Sequence, residues 1–172
     1  MTRILISAVC FVLVFVFETS FLSSLPSILA LTPLVFGLSI YLMQSHGLVD
    51  GIFWMGTHGI LLEMFHFSII PFVSIGWVIA GIGSFFLARH VFSNRSFYGS
   101  VACALCGFFF LVMTESLFAG VSYFVRGLSM DWSDYFFMHV QRATGLLFVM
   151  MFLFASTRHI RKLFPSAHFT RS

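Results

Sequence analysis

Apolar runs of about 20 residues recur along this chain and contain very few charged side chains. Of its 172 residues, 59% are hydrophobic and only 9% are Asp, Glu, Lys or Arg, whereas a soluble domain carries about 25% charged residues. A chain with so little charge cannot cover a surface in water, so its solvent is predicted to be the lipid bilayer. In lipid every backbone group must pair internally, which leaves helices or a closed barrel. Because the runs are longer than strands and do not alternate, they predict an all-α polytopic membrane helix bundle.

Six of these runs are candidates for membrane crossings, since about 20 helical residues cross a hydrocarbon core of roughly 30 Å. Pro33 is expected to bend or restart the second helix. Gln141 and Arg142 interrupt the sixth run, so five crossings remain an alternative to six. No hydrophilic stretch is long enough for a soluble domain, and the whole chain, 1–172, is predicted to be one integral membrane domain. The predicted spans are 4–22, 28–43, 48–65, 71–92, 97–119 and 137–157.

The positive residues predict the orientation, because cytoplasmic segments of membrane proteins retain Lys and Arg. With six spans and a cytoplasmic N-terminus, two of the nine Lys and Arg residues, Arg126 and Arg142, lie on or near the outer side. The other seven lie on inner segments. This distribution predicts that both termini are cytoplasmic.

Glycines recur along the third and fourth runs. In lipid, two helices associate where small residues let their backbones approach closely. These two runs are therefore predicted to form the packed centre of the bundle. The expected packing residues are Gly51, Gly56, Gly59, Gly76, Gly81 and Gly83.

Three spans carry a single glutamate near the same predicted end. At about 1.5 Å of rise per residue, Glu18, Glu63 and Glu115 lie roughly 22, 24 and 27 Å from the inner ends of their helices. The sixth helix enters from that side with His139 and Arg142. One interpretation is a polar cluster in which Arg142 compensates the carboxylates and which locks the bundle or receives a partner. The other is that each glutamate reaches the headgroup region independently.

The sequence contains no recognisable catalytic, metal or nucleotide motif. His58, Glu63 and His66 lack the spacing of a zinc-protease helix. Cys103 and Cys106 have redox-motif spacing, but no second pair exists, and thiols within a span are usually small packing residues. No basic stripe indicates nucleic acid. We therefore expect no enzymatic activity, no cofactor, no metal and no nucleic-acid partner.

The central stretch, about 31–95, contains Leu31-Thr32-Pro33-Leu34, His46-Gly47 and Gly51…Gly56-x-x-Gly59-Ile60-Leu61-Leu62-Glu63, followed by a glycine-spaced helix that ends in Arg89. This pattern resembles the rod shape-determining protein MreD family of bacterial cell-wall elongation. Glu63 stands where that family usually has Asp, which keeps the charge, and the region of Pro71 replaces an expected glycine.

The resemblance implies a non-enzymatic, multi-pass scaffold subunit of the bacterial cytoplasmic (inner) membrane. Such a subunit would associate with the single-span periplasmic protein MreC and, through it, with the actin-like MreB and the elongation synthases. The architecture is also similar to that of S components of energy-coupling-factor vitamin transporters. Under that alternative, the bundle would need a pocket whose polar groups capture a small molecule.

Overall fold

The computed structural model of the chain describes residues 2–25, 29–46, 49–66, 72–92, 96–127, 129 and 131–163. Within these residues the fold is an all-α bundle without strands, as predicted. The expected starts of three spans, at Ile28, Leu48 and Pro71, lie outside the described residues. The helices are α1 (Thr2–Val16, continued by a π-helical segment Phe17–Phe21 and a 3-10 turn Leu22–Ser24), α2 (Leu34–His46), α3 (Asp50–His66), α4 (Phe72–His90), α5 (Phe97–Arg126) and α6 (Trp132–Leu163).

Four stretches of the described chain are long and apolar enough to cross a membrane. They are Ile4–Ser24, Phe72–His90, Phe97–Arg126 and Trp132–Thr157. These helices support the assignment of the chain to the membrane. The helices α2 and α3 are shorter, with 13 and 17 residues, or roughly 20 and 26 Å at the ordinary helical rise.

The described α2 begins at Leu34, later than the apolar run alone predicts. Pro33 has no N–H to donate and a fixed φ, so it favours a helix start immediately after it. Its carbonyl accepts the first helical hydrogen bond, from the Gly37 N–H at 3.1 Å. The proline therefore acts as a restart and leaves a shortened second helix.

The helices α5 and α6 continue past the facing ends of their predicted spans, 119 and 137, and so past their most apolar parts. The helix α5 extends to Arg126 and ends at Gly127, whose φ of 64° is left-handed, the usual conformation of a glycine after a helix. The helix α6 begins at Trp132, where the Asp131 carboxylate accepts from the backbone N–H groups of Ser133 and Asp134. Such a cap supplies an acceptor to otherwise unpaired N–H groups.

The short helix α2 lies at the centre and packs against each of the other five helices. Phe36 is fully buried and meets the rings of Trp77 and Phe108 edge-on, with centroid distances of 5.8 and 5.9 Å. A second apolar cluster joins α1, α2 and α3 through Phe11, Phe15, Val35 and Trp54. The outer surfaces of the helices carry many exposed apolar side chains, as expected where lipid replaces water.

Two of the six predicted packing glycines lie where no side chain fits. A Cβ at Gly59 would lie 2.7 Å from the Trp77 Cβ and 3.1 Å from the Ser74 Cα. A Cβ at Gly51 would lie 2.6 Å from the Ser39 carbonyl oxygen. Both positions therefore let α3 approach a neighbouring helix closely.

The other four predicted glycines have more room. A Cβ at Gly56, Gly76, Gly81 or Gly83 would have its nearest neighbour at 3.6, 3.6, 3.4 and 3.3 Å respectively. Gly145 was not among the predicted packing residues, yet a Cβ there would lie 3.0 Å from the Cα of Thr32, in the segment that precedes α2. Glycine frequency along a run therefore did not identify every close approach.

Candidate functional site at the glutamate end of the bundle

Glu18 joins α1 to the start of the central helix. Its Oε2 accepts a hydrogen bond from the Val35 backbone N–H at 2.6 Å. Val35 lies in the first turn of α2, where N–H groups have no partner within the helix. A carboxylate at this position satisfies a free donor and complements the positive end of the helix dipole. The π-helical segment Phe17–Phe21 contains Glu18, so a local widening of the helix holds this side chain.

His58 of α3 is the second group beside Glu18. Its Nε2 lies 3.3 Å from the Glu18 Oε1, although the alignment falls short of a hydrogen bond. The imidazole is fully buried and lies against the rings of Phe15 and Trp77, with centroid distances of 5.4 and 4.2 Å. In the sequence, His58 stands out only through its spacing to Glu63 and His66, which does not match a zinc motif. No spacing rule connects it to a glutamate 40 positions earlier.

Glu63 joins α3 to the start of α4. Its Oε2 accepts from the Ser74 backbone N–H at 2.9 Å and lies 3.1 Å from the Ser74 hydroxyl. The same hydroxyl lies 3.3 Å from the Gly59 carbonyl oxygen. Glu63 is only 8% exposed, so its carboxylate is held between α3 and α4. It caps α4 as Glu18 caps α2.

Glu115, His139 and Arg142 lie together between α5 and α6. Arg142 donates from Nη1 to the Glu115 Oε2 at 3.2 Å, and the His139 Nε2 lies 4.0 Å from the same oxygen. The buried His139 ring packs edge-on against Tyr135, at a centroid distance of 4.4 Å. The helix α4 closes the other side, since a Cβ at Gly76 would lie 3.8 Å from the Glu115 Cγ.

The five predicted site residues therefore take part in three described contacts. Arg142 pairs with Glu115, and the contacts described for Glu18 and Glu63 are with other groups. A common pattern remains, because each glutamate binds the helix that follows its own. The contacts are α1 to α2, α3 to α4 and α5 to α6, and together they link consecutive helices at one end of the bundle, which we call the glutamate end.

The described residues contain no group of three or more His, Cys, Asp or Glu side chains that could hold a metal ion. Cys103 is buried, with its sulfur 3.6 Å from the Ser84 carbonyl oxygen, whereas Cys106 is exposed. Trp77 is buried and Trp54 nearly so, with the Trp54 indole donating to the Ser7 hydroxyl at 3.0 Å. The Cys103–Ser84 and Trp54–Ser7 contacts thus join neighbouring helices away from the glutamates.

No family model matches the chain, and no curated protein or solved structure matches it either. What the chain does must therefore be inferred from its own contacts and from the sequence resemblance of the stretch 31–95.

Proposed function

We propose that this chain is a non-enzymatic, multi-pass scaffold subunit of the bacterial inner membrane that serves the cell-wall elongation machinery. The observation that carries the proposal is that all three glutamates form contacts between helices. Each one binds the following helix, at a backbone N–H or at an arginine. Carboxylates held in this way stabilise a particular helix arrangement, which is what a scaffold requires.

The facing ends of α5 and α6 offer a surface for a partner. With 30 residues, α5 is about 45 Å long, or about 15 Å longer than a hydrocarbon core. Its last turns and the first turns of α6 expose Phe124, Trp132 and Phe137, of which Phe124 is 87% exposed. We call the segment 117–140, within the described residues, the α5–α6 hairpin. Exposed aromatic groups of this kind are typical of protein interfaces.

The proposed partner is an MreC-like single-span periplasmic protein, through which the scaffold would reach an actin-like MreB and the elongation synthases. This identity rests on the sequence resemblance. The α5–α6 hairpin fits such a partner, because a single membrane helix can pack along a long apolar helix and continue beyond the lipid surface.

An S component of a vitamin transporter is the second candidate, and one observation favours it. Several buried polar atoms at the glutamate end have no hydrogen-bond partner among the described residues: both ring nitrogens of His58 and of His139, the Glu63 Oε1 and the Trp77 indole Nε1. Buried polar groups are nearly always paired. A captured small molecule with several hydrogen-bonding groups would satisfy them.

Capture of the MreC-like partner by hairpin variants tests the proposed surface. Phe124→Ser with Phe137→Ser should reduce recovery of the partner about tenfold or more, since buried aromatic anchors dominate interface energies. Ile4→Ser with Leu5→Ser makes a matched change at two exposed positions of α1 and should leave recovery unchanged. Equal recovery with both pairs of changes would reject the hairpin as the docking surface.

A further inference from the structure

The ion pair between Glu115 and Arg142 has hydrogen-bonding groups to which the described residues give no partner. Their side chains remain 17% and 20% exposed. The described residues give Arg142 one hydrogen bond, from Nη1 to the Glu115 Oε2. A guanidinium carries five N–H donors and a carboxylate has two oxygens. The pair therefore keeps donors and an acceptor oxygen that a bound group from outside the chain could contact.

His139 adds a second observation at the same place. Its side chain is 4% exposed, and neither ring nitrogen has a hydrogen-bond partner among the described residues. The Nε2 lies 4.0 Å from the Glu115 Oε2 and so faces the ion pair. Because a buried polar group without a partner costs free energy, the site favours a ligand that hydrogen-bonds to this imidazole.

The charges of the site restrict the ligand. Glu115 repels a simple anion that approaches Arg142, and Arg142 repels a simple cation that approaches Glu115. A molecule that carries an oxyanion and an ammonium group a few ångströms apart meets both charges favourably. Guanidinium groups bind phosphate oxygens in a planar, two-point geometry, and a primary ammonium donates hydrogen bonds to a carboxylate.

The surroundings indicate a lipid as the source of that group. Within about two turns of the ion pair, α5 exposes Leu117 and Val121, and α6 exposes Phe136 and Phe137. These apolar side chains offer a surface for acyl chains beside the charged pair. We propose that Glu115, His139 and Arg142 bind the headgroup of a phosphatidylethanolamine, with its phosphate on Arg142 and its ammonium near Glu115. This binding site goes beyond the scaffold function, and the apolar side chains beside it belong to the α5–α6 hairpin that we propose for the partner.

Lipid titration of the purified full-length chain in detergent, followed by native mass spectrometry, tests the site. The probes are phosphatidylethanolamine, phosphatidylcholine and phosphatidylglycerol with identical acyl chains. The wild-type chain should retain the ethanolamine lipid about tenfold better than the other two, the change expected for one charge-assisted hydrogen bond. Choline lacks an N–H donor and glycerol lacks the positive charge, so each removes one half of the proposed contact.

Variants separate the two halves of the site. Arg142→Gln should reduce retention of the ethanolamine lipid about tenfold, and Glu115→Gln should abolish the preference for ethanolamine over choline. Arg126→Gln changes an exposed charge at the end of α5 and should leave retention and preference as in the wild type. Equal effects of Arg126→Gln and Arg142→Gln would contradict the assignment.

If a variant fails to accumulate, lipid retention by the wild-type chain alone tests the proposal. Equal retention of the three lipids would overturn the proposal. Soluble glycerophosphoethanolamine carries the same phosphodiester and ammonium groups without acyl chains. Displacement of the lipid by this solute at equal concentration would assign the chemistry to a free small molecule and reject the lipid as its source, whereas retention of the lipid supports the proposal.

Discussion

Glu18 satisfies a donor at the start of α2 and lies beside a fully buried imidazole, so its removal has two consequences. Glu18→Ala leaves the Val35 N–H without its acceptor and His58 without its charged neighbour. Loss of a helix cap costs about 0.5–2 kcal/mol, so the variant should unfold at a lower temperature in detergent. Glu18→Gln keeps an acceptor oxygen and should lose less stability. Equal losses for Ala and Gln would show that the charge, not the hydrogen bond, is what matters.

Two glycines of α3, Gly59 and Gly56, provide a matched pair of substitutions that tests the contact between α3 and α4. Gly59→Ala puts a Cβ 2.7 Å from the Trp77 Cβ and 3.1 Å from the Ser74 backbone, so α3 and α4 must separate. Gly56→Ala meets its nearest neighbour at 3.6 Å and gains the helix propensity of alanine, up to about 1 kcal/mol. Thermal unfolding should show a lower midpoint for the first and an unchanged or higher midpoint for the second. The reverse order would contradict the described α3–α4 contact.

The ion pair between Glu115 and Arg142 joins α5 to α6, and a double-mutant cycle measures its coupling energy. Arg142→Gln leaves Glu115 without its cation, and Glu115→Gln leaves Arg142 without its anion. An unpaired charge within a membrane helix is costly, so the double variant should lose less stability than the sum of the single ones. The expected coupling is about 1–3 kcal/mol, within the range for residues in contact. Additive losses, measured by thermal unfolding of the four proteins in one detergent, would indicate that the two side chains do not interact.

The lengths and periodicity of the apolar runs predict the helices, but they do not predict which side chains meet between helices. The all-α class follows from the long runs, and Pro33 marks the start of α2 within one residue. The partner of Glu18 could not be found in this way, because His58 lies on another helix and no periodicity relates the two positions. Gly145 was missed because it stands alone in its run. The full length of α5 could not be read from the apolar run, since apolarity falls before the helix stops at Gly127.

The whole molecule has an expected orientation that labelling can test. If both termini are cytoplasmic, Ser129, which is exposed between α5 and α6, lies on the opposite side of the membrane. Ser129→Cys, in a chain whose Cys10, Cys103 and Cys106 are replaced by Ala, should react with an impermeant maleimide added to intact cells. A cysteine appended to the C-terminus should react only after the cells are opened. Labelling of the appended cysteine in intact cells would reverse the orientation derived from the positive residues.

Affinity purification from native membranes tests the central claim most directly, because it identifies what the intact chain holds. A scaffold of cell-wall elongation should recover an MreC-like single-span protein, with the actin homologue and elongation synthases in smaller amounts. Recovery of ATPase subunits and a coupling protein, together with a bound small nutrient, would contradict that account and identify a transporter component instead.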